Sequence, residues 1–126
     1  MNDRDLLIRA QEASERAYAP YSKFPVGAAL ECADGTVVTG CNVENAAYGE
    51  CICAERTAVV KAVSEGHTAF RRIAVYGTGK NYCMPCGACR QVLHEFSPDM
   101  EVLAAKGDGG YVSYTLDKLL SHSFKL

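Results

Sequence analysis

The sequence predicts an α/β protein of three layers, with helices on both faces of a mixed and mostly five-stranded sheet. Three observations carry that expectation: apolar residues at helical steps near the start, two short apolar runs joined by Asp34-Gly35, and an alternation of helical and strand-like segments thereafter. No segment reads as a linker, an internal repeat or a low-complexity stretch, so residues 1–126 are expected to form one domain. With 126 residues, 48% hydrophobic and 22% charged, there is material for one core and too little for two.

Leu6, Leu7, Ala10, Ala13 and Ala17 recur at three- and four-residue steps, which predicts an amphipathic helix from Asp3 to Tyr18, stopped by Pro20. Val26–Cys32 and Thr36–Asn42 read as the strands of a hairpin, because Asp-Gly readily adopts the positive backbone angles of a tight turn. A second helix is expected over Ala54–Ser64, with Ala58, Val59, Ala62 and Val63 on its apolar side and Gly66 beyond its end. Arg72–Gly77 reads as a buried strand. Pro85 opens a third helix that reaches Phe96, Met100–Ala105 is a strand, and Lys106–Gly110 is a turn. Tyr111–Thr115 is the last strand, and Leu116–Leu120 a short final helix for which Thr115 suits the cap position. The early hairpin makes the sheet mixed rather than wholly parallel.

A net charge of -2 without any basic run gives no electrostatic footprint for a nucleic-acid backbone, so a small molecule is the expected partner. Met1-Asn2-Asp3-Arg4-Asp5 is charged and no long apolar run follows. Neither a secretory signal nor a membrane span is therefore expected, and the cytoplasm is the expected location. Seven clustered cysteines, an odd number, point to metal binding or reactivity in a reducing compartment rather than to a disulfide framework.

The chemistry concentrates in Cys53-Ala54-Glu55-Arg56 and Pro85-Cys86-Gly87-Ala88-Cys89-Arg90. Cys86 and Cys89, three apart in a first helical turn, share a face, and Cys53 stands at the start of another helix. Helix N-termini favour thiolates, the form that binds metal. Three protein ligands leave a tetrahedral ion one open position, which is the pattern of catalytic rather than structural zinc. Glu55, two residues past Cys53, points elsewhere along the helix, so it belongs beside the metal as a base for water and not on it.

Other readings stay open on the residues alone. Cys83 with Cys53, Cys86 and Cys89 could close a four-sulfur zinc site or hold an iron-sulfur cluster, although Pro85 places Cys83 ahead of the helix. Cys51 competes with Cys53, and only the following Ala54-Glu55 favours the latter. Cys32 and Cys41 read as packing residues in strands, and His67, His94 and His122 have no ligand spacing to one another. Phe24 and Tyr48 are readable as core aromatics, Asn42 and Glu44 as turn residues, and Arg56 and Arg90 as solvated helix charges.

Cysteine, glutamate two residues on, then Pro-Cys-x-x-Cys is the signature of zinc deaminases that act on nucleobases. The chain resembles the small homotetrameric cytidine deaminases from Tyr18-Ala19-Pro20-Tyr21-Ser22-Lys23-Phe24 to roughly Phe124. The intervening matches include Gly40-Cys41-Asn42-Val43-Glu44-Asn45-Ala46, Cys53-Ala54-Glu55-Arg56-Thr57-Ala58 and the stretch from Pro85 to Val92. At Ser123-Phe124-Lys125-Leu126 it lacks the acidic tail that many relatives carry, so contacts from such a tail are not expected. The resemblance implies Zn2+ on Cys53, Cys86 and Cys89, and Glu55 as the catalytic group. It implies hydrolytic deamination of cytidine and deoxycytidine to uridine and deoxyuridine, with Glu55 moving protons among water, the ring N3 and departing ammonia.

By the same resemblance Phe24 packs against the base, Asn42 and Glu44 hydrogen-bond the ribose, and backbone groups around Ala54 read the cytosine edge. Three thiolates around a dication leave a formal charge of -1, and the resemblance has Arg56 offset it by donating to cysteine sulfur. The region from Ala46 to Tyr48 and the aromatic Phe124 are implied to complete a neighbouring subunit's pocket, which gives a homotetramer with shared sites. A different nucleoside-like substrate would keep the metal and Glu55, but Asn42-Val43-Glu44 speaks against it. A carboxylate at Glu44 would also repel a phosphate, and no phosphate-binding loop sequence is present.

Overall fold

Asn2 starts the first helix. Its side chain accepts from the Asp5 backbone N–H (2.9 Å) and its own N–H donates to the Asp5 carboxylate (3.1 Å), a reciprocal capping box. The structure, a computed structural model, describes residues 1–126. Helix α1 spans Asp3–Ser14 and is shorter than its apolar pattern predicts. The segment after it turns extended because Tyr18 is captured by the sheet side: its N–H donates to the Asn42 carbonyl (3.0 Å) and its carbonyl accepts from Glu44 (2.8 Å).

Strand β1 (Val26–Cys32) matches its expected bounds, and β2 (Val37–Cys41) is one residue shorter at each end. The turn between them holds Gly35 at φ 91, and the Asp34 side chain accepts from the Thr36 N–H (2.9 Å). Helix α2 (Ala54–Ser64) follows as expected. Strand β3 (Phe70–Gly77) begins two residues early, because Phe70 pairs with Cys32 across an irregularity in β1 and its ring packs edge-on against Phe96.

Helix α3 spans Gly87–Phe96 with Cys86 as its cap, so Pro85 stands just outside the helix rather than in its first turn. Strand β4 is Glu101–Ala105, β5 is Tyr111–Thr115, and α4 is the single turn Leu116–Leu119. Thr115 occupies the cap position of α4 but its side chain makes no capping bond there.

The five strands lie in the order β2-β1-β3-β4-β5, and only β3 and β4 run parallel. A parallel pair needs a crossover, which α3 provides. Helix α1 lies on one face through Leu6, Leu7 and Ala10, against Ala29, Ala74 and Leu103. On the other face α2 and α3 set Ala58, Val59 and Leu93 against Leu30, Ile73 and Val102. With both faces covered, every residue of β1 is buried, which explains why the strand is apolar apart from Glu31.

One ionic group anchors α1. Arg72 on β3 donates from Nε to the buried carboxylate of Glu31 (2.8 Å), pairs with Asp3, and reaches the Met1 carbonyl, while the Tyr111 hydroxyl donates to Asp3 (3.1 Å). No helix is long and apolar enough to cross a membrane.

Candidate active site

The starts of α2 and α3 meet, and each is capped by a cysteine: Cys53 for α2 and Cys86 for α3. Neither side chain is used in capping, so both sulfurs remain available at the positive end of a helix. Cys89, in the first turn of α3, is the third. The sulfurs of Cys53, Cys86 and Cys89 lie within 4.8 Å of one another, with Cys53 to Cys86 at 3.8 Å and Cys86 to Cys89 at 3.5 Å. Sulfurs on a tetrahedral zinc at about 2.3 Å stand roughly 3.8 Å apart, so this donor set fits the ion. Cys89 is buried and Cys86 exposed, which leaves the cluster open on one side.

A closed four-sulfur arrangement lacks its fourth member. Cys51 is turned into its own loop, where its sulfur accepts from the Asn45 N–H (3.3 Å). Cys83 stands outside the cluster, and burial pushes its thiol up to about 12, with the charges of Glu55 and Cys53 adding to the effect.

The sulfurs are not equivalent. Hydrogen bonding from Cys89, and then from Arg56, lowers Cys53 to about 5 against the opposing effect of burial. The same hydrogen bond, together with burial, drives the Cys89 thiol upward. Cys53 thus becomes a thiolate before Cys89 in the metal-free protein. Arg56 Nη2 donates to the Cys53 sulfur (3.5 Å), and its Nε is buried without a partner, so one donor of that guanidinium stays unsatisfied beside the sulfurs.

Glu55 is 4% exposed. Burial pushes its carboxyl up to about 7; its own backbone N–H opposes this and the nearby Cys53 thiolate adds to it. The carboxyl does not join the sulfur cluster, consistent with a place beside a metal and not on it. A buried carboxyl titrating near neutrality is suited to taking and returning protons.

Cys53, Ala54 and Glu55 face a cavity of about 300 Å³ whose other walls include Ser22, Phe24, Val26, Asn42, Glu44, Cys83, Met84 and Cys86. That volume lies at the lower end for small-molecule sites. A larger groove of about 500 Å³ runs between α2 and α3, but Val59, Val60, Val63, Val92 and Phe96 make it mainly apolar and place no reactive cluster there.

Of the residues expected to contact substrate, Phe24, Asn42, Glu44 and Ala54 line this cavity. Ala46, Tyr48 and Phe124 do not. Ala46 is exposed, Tyr48 is 77% exposed and packs edge-on against Tyr21, and Phe124 is 68% exposed beside a different hollow with Gln91 and His94. Asn42 and Glu44 also have structural duties. Asn42 accepts from the Val26 N–H (2.9 Å) and donates to the Phe24 carbonyl (3.0 Å). Glu44 accepts from the N–H groups of Tyr21 (3.0 Å) and Ser22 (3.1 Å) and from the Ser22 hydroxyl, which holds its carboxyl below the usual carboxylate range.

Sequence reading missed Ser22, Val26 and Met84 as wall residues and saw Cys83 only as a rival ligand. Arg90 was readable as a solvated charge, yet its Nε donates to the Pro85 carbonyl (2.8 Å) and its Nη1 to the Leu119 carbonyl (2.8 Å), bracing the segment that carries Cys86. Arginine one residue after a ligand cysteine was the available signal. His94 is buried and bonded to the Ser123 hydroxyl (3.0 Å), so it is a satisfied histidine.

Comparison with known proteins agrees with this geometry. Residues 1–105 match the family described as the cytidine and deoxycytidylate deaminase zinc-binding region. The chain is 47% identical to the cytidine deaminase of Sporosarcina psychrophila over 98% of its own length and 92% of that protein's. It is 45% identical to a probable cytidine deaminase of Dictyostelium discoideum over 98% of its own length and 86% of that protein's. Its fold superposes on the crystal structure of a cytidine deaminase from Burkholderia pseudomallei with a TM-score of 0.95 at 46% identity, covering 98% of this chain and 100% of the other. For a cytidine deaminase structure from Mycobacterium tuberculosis the TM-score is 0.85 at 39% identity, with full coverage of both chains.

Proposed function

The chain belongs to the zinc-binding cytidine and deoxycytidylate deaminase family, and on that premise we propose that it deaminates cytidine and deoxycytidine hydrolytically to uridine and deoxyuridine. The observation that carries this reading is a buried carboxyl beside three clustered sulfurs, two of which, those of Cys53 and Cys86, line one small cavity. Cys53, Cys86 and Cys89 would hold the zinc, which supplies a Lewis acid that makes water nucleophilic near neutral pH. Glu55 takes a proton from the attacking water and gives it to the ring N3 as the oxygen bonds to C4. It then carries the second proton from that oxygen to the amine, so that the C4–N bond breaks and ammonia leaves. A carboxyl held near 7 can hold and release each proton with little driving force lost in either direction.

Phe24 packs against the base, and backbone groups at Ala54 read its edge. An ionised carboxylate offers about four acceptor sites, and Glu44 uses three on Tyr21 and Ser22, leaving one for a sugar hydroxyl. Asn42 retains one N–H and one lone pair for the same task. The charge of Glu44 disfavours a phosphate there, so a nucleoside is preferred to a nucleotide. Arg56 offsets the excess negative charge of three thiolates through its bond to Cys53.

Tyr18, Tyr21, Val43, Tyr48 and Ile52 are exposed outside the cavity, with Val43 paired to Tyr18 and Ile52 and Tyr21 edge-on to Tyr48, and exposed apolar groups of this kind mark interfaces. A homotetramer would cover it and present Ala46, Tyr48 and Phe124 to neighbouring sites; a fully active monomer at high dilution would contradict that assembly. Seven free cysteines fit a reducing cytoplasm. The test of the activity is ammonia release from cytidine by the wild type and by Glu55→Gln. The variant is expected to keep its zinc and lose most turnover, and wild-type-like turnover in it would end the assignment.

A further inference from the structure

Phe24 enters the cavity wall from a backbone that is fixed on both sides. Its carbonyl accepts from Asn42 (3.0 Å), its N–H donates to the Ser22 hydroxyl (3.1 Å), and Ser22 is itself bonded to Glu44. Lys23, directly before it, sits at φ 59, a left-handed conformation uncommon outside glycine and held here by its neighbours. With the backbone set, the direction of the ring depends on what it rests against.

The ring rests where two residues have no side chain. A methyl group placed on Gly77, the last residue of β3, would come within 2.9 Å of Phe24 Cζ and within 2.9 Å of both Cβ and Sγ of Cys83. One placed on Gly79 would meet Phe24 Cε1 at 3.0 Å and Cζ at 3.7 Å. Both positions stand on firm ground, since Gly77 ends a central strand and the Gly79 carbonyl accepts from the Gly107 N–H (2.8 Å) in the loop after the parallel neighbour β4.

We propose that Gly77, Gly79 and Cys83 form a seat that orients the Phe24 ring, and that through Phe24 this seat sets how tightly the base of the substrate is held. The three are positioning residues: none moves a proton, and their effect passes through one aromatic ring. The inference rests on the deaminase reading and adds a determinant of substrate affinity at the end of β3. It also gives Cys83 a role in the site that needs no metal.

The experiment is a double-mutant cycle on cytidine deamination with the zinc-loaded enzyme. Gly79→Ala displaces the ring by a few tenths of an ångström and is expected to raise KM roughly tenfold, with kcat and zinc content near those of the wild type. In a Phe24→Ala background the same substitution is expected to change KM by less than about twofold, because the ring it acts through is gone. Gly77→Ala crowds three atoms and risks misfolding, so Cys83→Ala is the second probe. It should raise KM in the Phe24 protein but not in the Phe24→Ala protein, with one zinc per chain retained. An unchanged KM in Gly79→Ala, or an equal rise in both backgrounds, overturns the seat while leaving the activity intact. A wild-type enzyme that releases no ammonia from cytidine overturns the proposed function, and the role of the seat with it.

Discussion

Gly40→Ala tests how the reactive end of α2 is held in register with the sheet. Gly40 lies on β2 opposite Ala28, and a methyl group there would stand 2.6 Å from the Ala58 nitrogen, 2.8 Å from the Ala54 carbonyl oxygen and 3.0 Å from Thr57 Cβ. Against an ordinary contact of 3.4 Å, the first of these is short by about 0.8 Å. Both nearest atoms are backbone, so no rotamer change relieves the crowding and the first turn of α2 must rise from the sheet. Overpacking of that kind destabilises by about 1–3 kcal/mol, which for a chain of this size corresponds to a loss of roughly 4–12 °C in Tm.

The same turn carries Cys53, Glu55 and Arg56, so the displacement reaches the site, where a misplacement approaching 1 Å lowers turnover by roughly 10²-fold. Thermal unfolding at fixed protein concentration, zinc content and kcat/KM for cytidine would be measured together. Gly49→Ala serves as the control for stability, because a methyl group there meets nothing within 4 Å. If Gly40→Ala keeps Tm within about 1 °C and kcat/KM within twofold, the contact between β2 and α2 does not set the position of Glu55.

Three further outcomes follow from the geometry. Arg72→Ala leaves the Glu31 carboxylate buried without its partner and should destabilise by about 3 kcal/mol in urea unfolding, well above the effect of Asp3→Ala; equal effects would show that the pair with Glu31 is not the main anchor. Zinc uptake by the metal-free protein should release protons and tighten as pH rises above about 5, since Cys53 is already a thiolate there whereas the raised Cys89 must still lose its proton; chelator competition giving equal affinities at pH 6 and 8 would count against this. Glu44 titrates below its usual 4.5 in the folded chain, so its hold on Tyr21 and Ser22 is complete above that pH and is lost as pH falls through the lowered value. Amide exchange at these two residues, corrected for intrinsic rates, should quicken there in the wild type, and an equal acceleration in Glu44→Gln would refute the link.

Much of the site was readable because metal chemistry dictates residue types. Only thiolates, a detached carboxylate and helix starts make sense of Cys53, Glu55, Cys86 and Cys89 together. The fold was legible where local signals agree with burial, as in the Asp34-Gly35 turn and in α2, whose ends match their expected positions. Local pattern failed where a distant partner decides. Ala17 continues the helical spacing of α1, yet the pairing of Tyr18 with residues 42–44 is tertiary and invisible to periodicity. The backbone duties of Asn42 and Glu44, and the brace that Arg90 makes to Leu119, join segments 16 to 29 residues apart and have no signature in sequence. Nor could spacing show that Gly77 and Gly79 lie against the ring of a residue more than fifty positions earlier.

Cys53 and Cys86 belong to different helices and lie 33 residues apart, with α2 and β3 between them. An ion gripping both is therefore also a tether that closes this stretch of chain, worth about 4 kcal/mol if it restrains the unfolded polypeptide as a covalent link of that span does. Stripping the ion would then loosen the pair of helices as well as silence the chemistry.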